Sequence, residues 1–548
     1  MRYLLVCISL FIIFLSKASV CCALPAFPGA EGFGGQSVGG RGGQIIKVTN
    51  LNDNGPGSFR EAVEANLRHH ANDVYKYESL EAYLDRLDEG GHRIIIFDVS
   101  GIINLESDLL ITIPYITIAG QTSPGGILVT GHQTTVKAHD VIIQHMRYRV
   151  GSHTIQNGAD PETLDSFDIW GAGWGEDIDA YNIIIDHCSF SWGVDETFTI
   201  SGGVQNTTVQ WCIVSEGLSH AGHPKGEHSK GLMVSGKYGD GVSRATTVSL
   251  HHNYIAHNNG RSPLLYSPLG TIMTVDAVNN VSYNWKGGLS PHSGGSAKVN
   301  WKNNYMKQGN NSNDYSYEVA YANAIEPEPL IYVFNNIGST RLSQSDPQWN
   351  AGVEWRNIML DELYRTLTPW DSPEIDMTEM SYEYAIEILQ DVGATKPCRD
   401  SVDERVVADF DNGTGQIIDD VVYPDDFPVF QNITPQNDSD NDGMPDEWES
   451  ANGFDPNIDD SALDGDVDGY TNIEEYLQVL GGYIEEEQQG EVFDINNDGQ
   501  VNILDVTLCA NIITGTASGN ADVNKDTLVN VQDVIAIVNN ITIQFLKK

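Results

Sequence analysis

The stretch Ile183-Ile184-Ile185-Asp186-His187-Cys188 joins a short apolar run to a polar turn, and the same design returns along the middle of the chain. It recurs as Thr208-Val209-Gln210-Trp211-Cys212, as Val248-Ser249-Leu250-His251-His252-Asn253 and as Val275-Asp276-Ala277-Val278-Asn279-Asn280. Two further copies end in Asn303-Asn304 and Asn335-Asn336. Setting Cys188, Cys212, Asn253, Asn280, Asn304 and Asn336 in register gives steps of 24, 41, 27, 24 and 32 residues. Short strands with a fixed turn at such intervals predict an all-β fold, a parallel β-helix in which each coil buries its apolar face only by stacking on the next. In that register the Asn side chains can hydrogen-bond up the stack. The longer steps are loops inserted on one face, where repeat proteins usually keep their site. A β-sandwich with Asn-rich turns is the alternative. Cys188 and Cys212 fall one coil apart, and two small apolar side chains inside the coil are favoured over a disulfide.

Working outward, the chain has 548 residues, enough for several modules or one large repetitive fold. Its 30 Lys+Arg against 76 Asp+Glu give a formal charge of −46, which excludes a nucleic-acid binder that needs clustered cations for phosphates. The charge is uneven: residues 431–548 hold 24 acidic and 3 basic side chains, a net −21. At the other end Arg2 precedes an apolar run from Tyr3 to Leu15 and then small residues up to Cys21-Cys22-Ala23. That order reads as a secretory signal peptide over 1–23, shorter than a membrane span, and predicts an extracellular protein. Lipid attachment through Cys21 or Cys22, at the cell surface, is the other reading. No later segment is apolar for long enough to cross a bilayer. Beyond the signal only Cys188, Cys212, Cys398 and Cys509 remain, without metal-type spacing.

The composition changes near residue 436. Asp438, Asp440, Asp442, Met444, Asp446 and Glu449 stand at positions 1, 3, 5, 7, 9 and 12 of a loop with Gly443 at position 6. Asp464, Asp466, Asp468, Tyr470, Asn472 and Glu475 repeat the pattern around Gly469. This is the oxygen-ligand spacing of an EF-hand calcium loop. A second pair follows. Asp494, Asn496, Asp498, Asn502 and Asp505 form one loop, and Asp522, Asn524, Asp526, Asn530 and Asp533 the other, each leading into an apolar helical stretch. Small helical modules therefore follow the β-helix, and the division read here is 24–430, 436–480 and 488–545. A solvated acidic linker is the alternative for the first pair, and a calcium-stabilised terminal cap for the second.

In the coil region no phosphate-binding glycine loop survives inspection. The Gly-rich run Gly39-Gly40-Arg41-Gly42-Gly43 leads into a strand pattern, Ile45-Ile46-Lys47-Val48, rather than a helix. What remains is a group of acids and bases, Asp165, Asp186, His187, Asp195, Glu196, Lys230 and Arg261. Carboxylates on adjacent coils lie about 5 Å apart, the strand spacing, so a hard cation such as Ca2+ is their natural companion. A cation beside Lys and Arg makes a positive pocket in an acidic protein, suited to an anionic sugar.

Several ordered segments carry a resemblance. Ala26-Phe27-Pro28-Gly29-Ala30-Glu31-Gly32-Phe33-Gly34-Gly35, Val48-Thr49-Asn50-Leu51-Asn52-Asp53-Asn54-Gly55-Pro56-Gly57-Ser58-Phe59-Arg60, Phe97-Asp98-Val99-Ser100-Gly101, Ile116-Thr117-Ile118-Ala119-Gly120-Gln121-Thr122 and Ile185-Asp186-His187-Cys188-Ser189 are similar to pectate lyases of polysaccharide lyase family 1. The resemblance spans roughly 26–415 and implies a right-handed parallel β-helix that cleaves polygalacturonate by β-elimination with Ca2+. It implies Asp165 and Asp195 as metal ligands, and a third acid at the position held here by Thr199, for which Glu196 can substitute. It implies Lys230 on the substrate carboxylate and Arg261, opening Arg261-Ser262-Pro263-Leu264-Leu265-Tyr266, as the base. Tyr266 stands where a second arginine is common, and Arg147 and Arg149 are candidates to supply the missing contact, a structural ion pair being their rival reading. Asp186-His187 matches an aspartate–histidine motif read as mainly structural. A lyase for another polyuronate or for methylated pectin, and a non-catalytic polysaccharide binder, are the competing functions. The segment 436–480 resembles EF-hand-like or thrombospondin-type-3-like calcium repeats. The final loop pair resembles a type I dockerin, which implies a cohesin-bearing scaffold as partner, with Ile503-Leu504 and Val531-Gln532 at the selecting positions.

Overall fold

The computed structural model describes residues 24–64, 91–171, 180–236, 246–267, 273–286 and 386–484 continuously, with shorter stretches between 292 and 380 and parts of 495–538. Among the described residues the strands form three parallel sheets of ten, nine and nine strands, each strand pairing with its counterpart one coil away. The first sheet runs from Gln44–Val48 through Tyr181–Asp186 and Gln205–Gln210 to Leu330–Phe334. The second holds the short strands that follow its turns, such as Arg147–Arg149, Ser189–Ser191 and Ile213–Ser215. The third includes Phe167–Trp170, Glu196–Ser201, Lys230–Ser235 and Leu264–Ser267. This is the predicted parallel β-helix. Ile183 pairs with Thr207 and Ile185 with Val209, so alternate residues of every strand point inward. Fully buried Phe167, Phe190 and Phe198 meet there at ring-centroid distances of 4.5 to 5.3 Å.

The turn that repeats in the sequence has one conformation. His187, Trp211, His252, Asn279, Asn303 and Asn335 all carry a φ between 47° and 58°. In each coil the next residue is the one set in register, and it faces inward. The Asn253 side chain donates to Asn280 Oδ1 at 2.9 Å, Asn280 to Asn304 Oδ1 at 3.1 Å and Asn304 to Asn336 Oδ1 at 2.9 Å. Each Oδ1 also accepts the backbone N–H of the preceding rung, from Cys212 onto Asn253 through to Asn304 onto Asn336. Cys188 and Cys212 continue the row as free, buried thiols.

One end of the coil stack is closed by the helix Phe59–Val63, capped by Ser58, which packs Phe59 against Phe97 at 5.5 Å. Buried Arg93 donates to the Val63 carbonyl at 2.9 Å and to those of Ile113 and Pro114 at 3.3 Å. The helix Ser401–Asn412 lies across the second sheet, with Val406 and Phe410 beside Tyr254 and Tyr283.

The acidic-loop segment that follows residue 436 does not hang free of the β-helix. Met444, Trp448, Phe454, Ile473 and Leu477 share one apolar cluster with Ile94, Ile96 and Ala119 of the first sheet. Arg41 binds Glu474 at 2.9 Å and Lys47 pairs with Asp438. Among the described residues no helix is long and apolar enough to cross a membrane.

Candidate functional site

The third sheet gathers the candidate residues because its strands all begin at one corner of the coil. Phe167 pairs with Phe198, which sets Asp165, just before its strand, level with Glu196, the first residue of the next. Glu196 is paired with Lys230, and Lys230 bridges to Gly260. Asp165, Glu196, Lys230 and Gly260–Arg261 thus form one row across four successive coils. Ligand oxygens of Asp165, Asp195 and Glu196 lie within 4.8 Å of one another. The Glu196 backbone N–H donates to Asp165 Oδ1 at 2.9 Å, and the Arg261 guanidinium is paired with the Glu196 carboxylate. Arg261 and Ser229 adopt left-handed backbone, φ 61° and 57°, where the chain turns the corner ahead of each strand.

The electrostatics follow from this crowding. Burial, then the Asp195 charge, push Asp165 up to about 8. Burial also raises Asp195, but the hydrogen bond and charge of His228 and the charge of His223 hold it below the usual carboxylate range. Their Nε2 atoms stand 2.9 and 3.2 Å from Asp195 Oδ1, and the two rings stack at 3.9 Å. Burial lowers Arg261 against the pull of Asp195 and Asp165. Burial likewise lowers Lys230 against Glu227 and Asp195. Three acids with one half-neutralising arginine form a hard-oxygen donor set, and the rise of Asp165 is the signature of carboxylates brought together in a poorly hydrated place. The set fits a hard cation such as Ca2+, with Thr199 at its margin: its hydroxyl is buried and faces the Asp165 carboxylate.

The structure corrects part of the substrate-binding expectation. Arg147 and Arg149 have no solvent-exposed side-chain surface and lie in the second sheet, beneath the helix that starts at Ser401. Arg149 binds Asp400 at 2.6 Å and Asp403 at 2.7 Å, and Arg147 binds Asp400 at 3.0 Å. Two buried guanidiniums with their own carboxylates fasten that helix to the coil and cannot reach a ligand at the third sheet. Tyr266, by contrast, is 38% exposed on the strand that follows Arg261. Asp186 and His187 also lie away from the row, at the end of a first-sheet strand. Buried Asp186 accepts from Gln210 at 2.7 Å, contacts His187 Nδ1 at 2.8 Å and takes the hydroxyl of Tyr483.

The residues that sequence reading passed over are Asp168, His223 and His228. Asp168 lies three residues after Asp165, where its alternation with Phe167 marks it as facing away from the core. The histidines sit in the loop between the second-sheet strand Ile213–Ser215 and the third-sheet strand Lys230–Ser235, where no periodicity places them.

The acidic loops 438–449 and 464–475 fold alike. Asp438 and Asp464 each accept from the backbone N–H three and five residues on, and Gly443 and Gly469 take φ of 96° and 103°. Asp442, Glu449 and Asp460 bring ligand oxygens within 4.8 Å, as do Asp438, Asp440 and Asp442. Glu449 is fully buried with no partner for either carboxylate oxygen. The ninth positions, which in an EF-hand loop often reach the ion through water, hydrogen-bond within the loop. Asp446 accepts from the Ser439 backbone and hydroxyl at 2.7 and 2.8 Å, and Asn472 accepts from Gly465 N–H at 3.1 Å, so both brace their own loop. Asn472 also donates to Asp460, which joins the two loops.

In the final pair Asp494, Asp498, Asp522, Asn524 and Asp526 lie outside the described residues, as does the 1–23 segment. Asp505 and Asp533 are fully buried and used alike: Asp505 accepts from Asn496 and Asn502 N–H, Asp533 from Val523 and Asn530 N–H. Ile503, Leu504 and Val531 are 66%, 57% and 64% exposed.

Comparison with known proteins agrees with this geometry. The family model of the dockerin type I domain matches residues 492–542. The chain is 32% identical over 473 residues to the probable pectate lyase C of Aspergillus terreus, a match covering 84% of this chain and 94% of the relative. The probable pectate lyase C of Aspergillus fumigatus is 32% identical over 465 residues, with the same coverage of 84% and 94%. Among solved structures, jun a 1, the major allergen of cedar pollen, aligns with TM-score 0.46 and 15% identity over 66% of this chain and 92% of that one. A pectate lyase of Bacillus sp. N165 in complex with trigalacturonate aligns with TM-score 0.43 and 15% identity over 66% and 98%. These structural likenesses are too distant to transfer individual residues. The sequence relatives, matched along nearly their whole length, are sufficient: the chain belongs to the pectate lyase family.

Proposed function

We propose that the chain is a secreted, calcium-dependent pectate lyase that cleaves polygalacturonate by β-elimination to unsaturated oligogalacturonides. The observation that supports it best is the row in which Asp165, Asp195 and Glu196 stand beside Lys230 and Arg261 on successive coils. Asp165, Asp195 and Glu196, with the Thr199 hydroxyl, would hold Ca2+, whose charge neutralises the substrate carboxylate and lets the adjacent C5 proton be removed. The Lys230 ammonium, one coil from Glu196, pairs with the same uronate carboxylate. Arg261 takes the C5 proton; the C–H electron pair becomes the C4–C5 double bond, the C4–O bond breaks, and the departing oxygen takes a proton from water.

A guanidinium normally keeps its proton, with a pKa above about 12. Burial works in the required direction at Arg261. Its pairing with Glu196 works against it, so the pair must part before Arg261 acts as a base. Tyr266, exposed on the strand that follows, is a substrate contact. The four loops from Asp438 to Asp533 take structural calcium, and the exposed Ile503, Leu504 and Val531 dock the 492–542 module to a cohesin-bearing scaffold.

Cleavage is followed as absorbance of the unsaturated product on polygalacturonate and, separately, on methylated pectin. Activity is expected on polygalacturonate, lost in EDTA and restored by excess calcium. Arg261→Lys should reduce kcat by about 100-fold or more, within the usual range for a general base. Near-wild-type activity of Arg261→Lys would sink the base assignment, and absence of cleavage on any uronate would leave only a polysaccharide binder.

A further inference from the structure

We infer that Asp168 is a ligand of the cation held by Asp165, supplying the carboxylate that Thr199 lacks. The inference rests on the cation-site reading above and names a residue that reading does not include.

Asp168 lies on the strand Phe167–Trp170, with Phe167 and Ile169 fully buried in the core on either side of it. Alternation along a strand therefore puts Asp168 on the outer face of the third sheet. It is nevertheless only 7% exposed. In register it is paired with Thr199 on the next coil and with Thr135 on the previous one. Strand neighbours in register face the same way about 4.8 Å apart, so the Asp168 carboxylate and the Thr199 hydroxyl stand side by side.

Asp168 Oδ1 is buried without a hydrogen-bond partner, and the Thr199 hydroxyl beside it stands close enough to Asp165 to stabilise that carboxylate. The other Asp168 oxygen is 3.5 Å from Gln133 Nε2, at the outer limit of a hydrogen bond. Among the described residues no Lys or Arg forms an ion pair with Asp168. A buried carboxylate left this way costs several kcal/mol unless it is neutralised or bound to a metal. Burial, then the charge of Asp165 three residues earlier, hold Asp168 well above the usual carboxylate range, against the weaker opposing pull of Lys137 and the Ile169 N–H. A cation between Asp165, Asp168 and Thr199 satisfies all three with hard oxygen donors, the chemistry calcium selects.

The arrangement also accounts for the departure at position 199. A carboxylate moved from that position to its in-register neighbour shifts by one strand spacing and keeps the negative charge of the site. The loss at Thr199 is then a transfer between coils rather than a deletion.

The test is calcium binding by isothermal titration calorimetry on the full chain, with folding checked by circular dichroism. Asp168→Asn is expected to weaken one class of sites at least about tenfold, no less than the 10–100-fold that supporting residues of metal sites command. Asp165→Asn should affect the same class. The exchange Asp168→Thr with Thr199→Asp, which relocates the carboxylate, should return the affinity to within about threefold of wild type, inside the context-dependent scatter of single contacts. If Asp165→Asn removes a site while Asp168→Asn leaves every isotherm unchanged, the inference is overturned and the cation reading stands. If neither variant alters binding, the cation reading falls and takes the inference with it. Should Asp168→Asn not fold, the exchange variant decides: retained affinity supports the transfer, and its loss in a folded protein refutes it.

Discussion

Asn280→Ala probes the device that stacks the coils. The Asn280 side chain makes four hydrogen bonds: Oδ1 accepts from the Asn253 backbone and side chain at 3.1 and 2.9 Å, and Nδ2 donates to the Leu250 carbonyl at 2.8 Å and to Asn304 Oδ1 at 3.1 Å. Alanine removes all four and admits no replacement, because the site is 3% exposed and walled by coil above and below. Asn304 Oδ1 keeps the backbone donor of residue 280, and Asn253 Nδ2 keeps the Val209 carbonyl at 2.8 Å. The lasting damage is therefore the Asn253 N–H left without an acceptor and the Leu250 carbonyl left with one lone pair unused. At about 1–3 kcal/mol for each stranded buried group, the destabilisation is about 2–6 kcal/mol. Asn280→Asp keeps the acceptor but loses both donations and buries a charge, so it should be at least as harmful. Equilibrium urea unfolding followed by far-UV circular dichroism measures both. Activity of the folded fraction should be unchanged, since this turn joins the first and second sheets while the Asp165 row opens the third. A loss below about 1 kcal/mol for Asn280→Ala, the value of one ordinary net hydrogen bond, would refute the reasoning, because it would mean that the stranded groups find other partners.

Two further outcomes are expected. Arg149→Met breaks a buried pairing with Asp400 and Asp403 and should cost about 3–5 kcal/mol in unfolding experiments while leaving KM for the polysaccharide unchanged; a raised KM at unchanged stability would restore the substrate-contact reading. In calcium-free protein burial raises Asp165 to about 8, Asp442 to about 7, Glu449 to about 8, Asp466 to about 7 and Asp468 to about 6. All exceed the unfolded value near 4, so each contributes stability that is complete below about pH 4 and lost as pH rises through the folded value. The melting temperature without calcium should fall between about pH 4 and 8 and flatten when calcium is added, and a calcium-free profile that rises across that window would contradict the assignment.

Much of this was legible because a repeat reports itself. Once Cys188, Cys212, Asn253, Asn280, Asn304 and Asn336 are aligned, the coil, the ladder and the side on which loops emerge all follow from period and parity. The row of Asp165, Glu196, Lys230 and Arg261 was legible as a set of residues, yet its geometry depends on the Phe167–Phe198 register, which no local pattern fixes. Arg147 and Arg149 show where sequence misleads. Alternation in Arg147-Tyr148-Arg149 turns the arginines outward, and a strand pattern cannot reveal that a helix some 250 residues later covers that face with Asp400 and Asp403. At the ninth loop positions spacing identifies an oxygen, while its bonds to the loop's own N–H groups are a matter of rotamer. His223 and His228 reach Asp195 from a long loop, and only tertiary structure brings them there.

The ladder has a consequence for how such a protein can change. The bond from Cys212 to Asn253 spans 41 residues and the bond from Asn280 to Asn304 spans 24, yet the two distances are the same 2.9 Å. Coil registration is thus indifferent to how much chain is spent between one rung and the next, and loop closure adds only about 0.6 kcal/mol per doubling of length. Segments between rungs can lengthen, shorten or be exchanged while the acid and base positions stay fixed to their coils. Evolution, or an engineer grafting loops, can then retune which polymer is gripped without renegotiating the chemistry that cuts it.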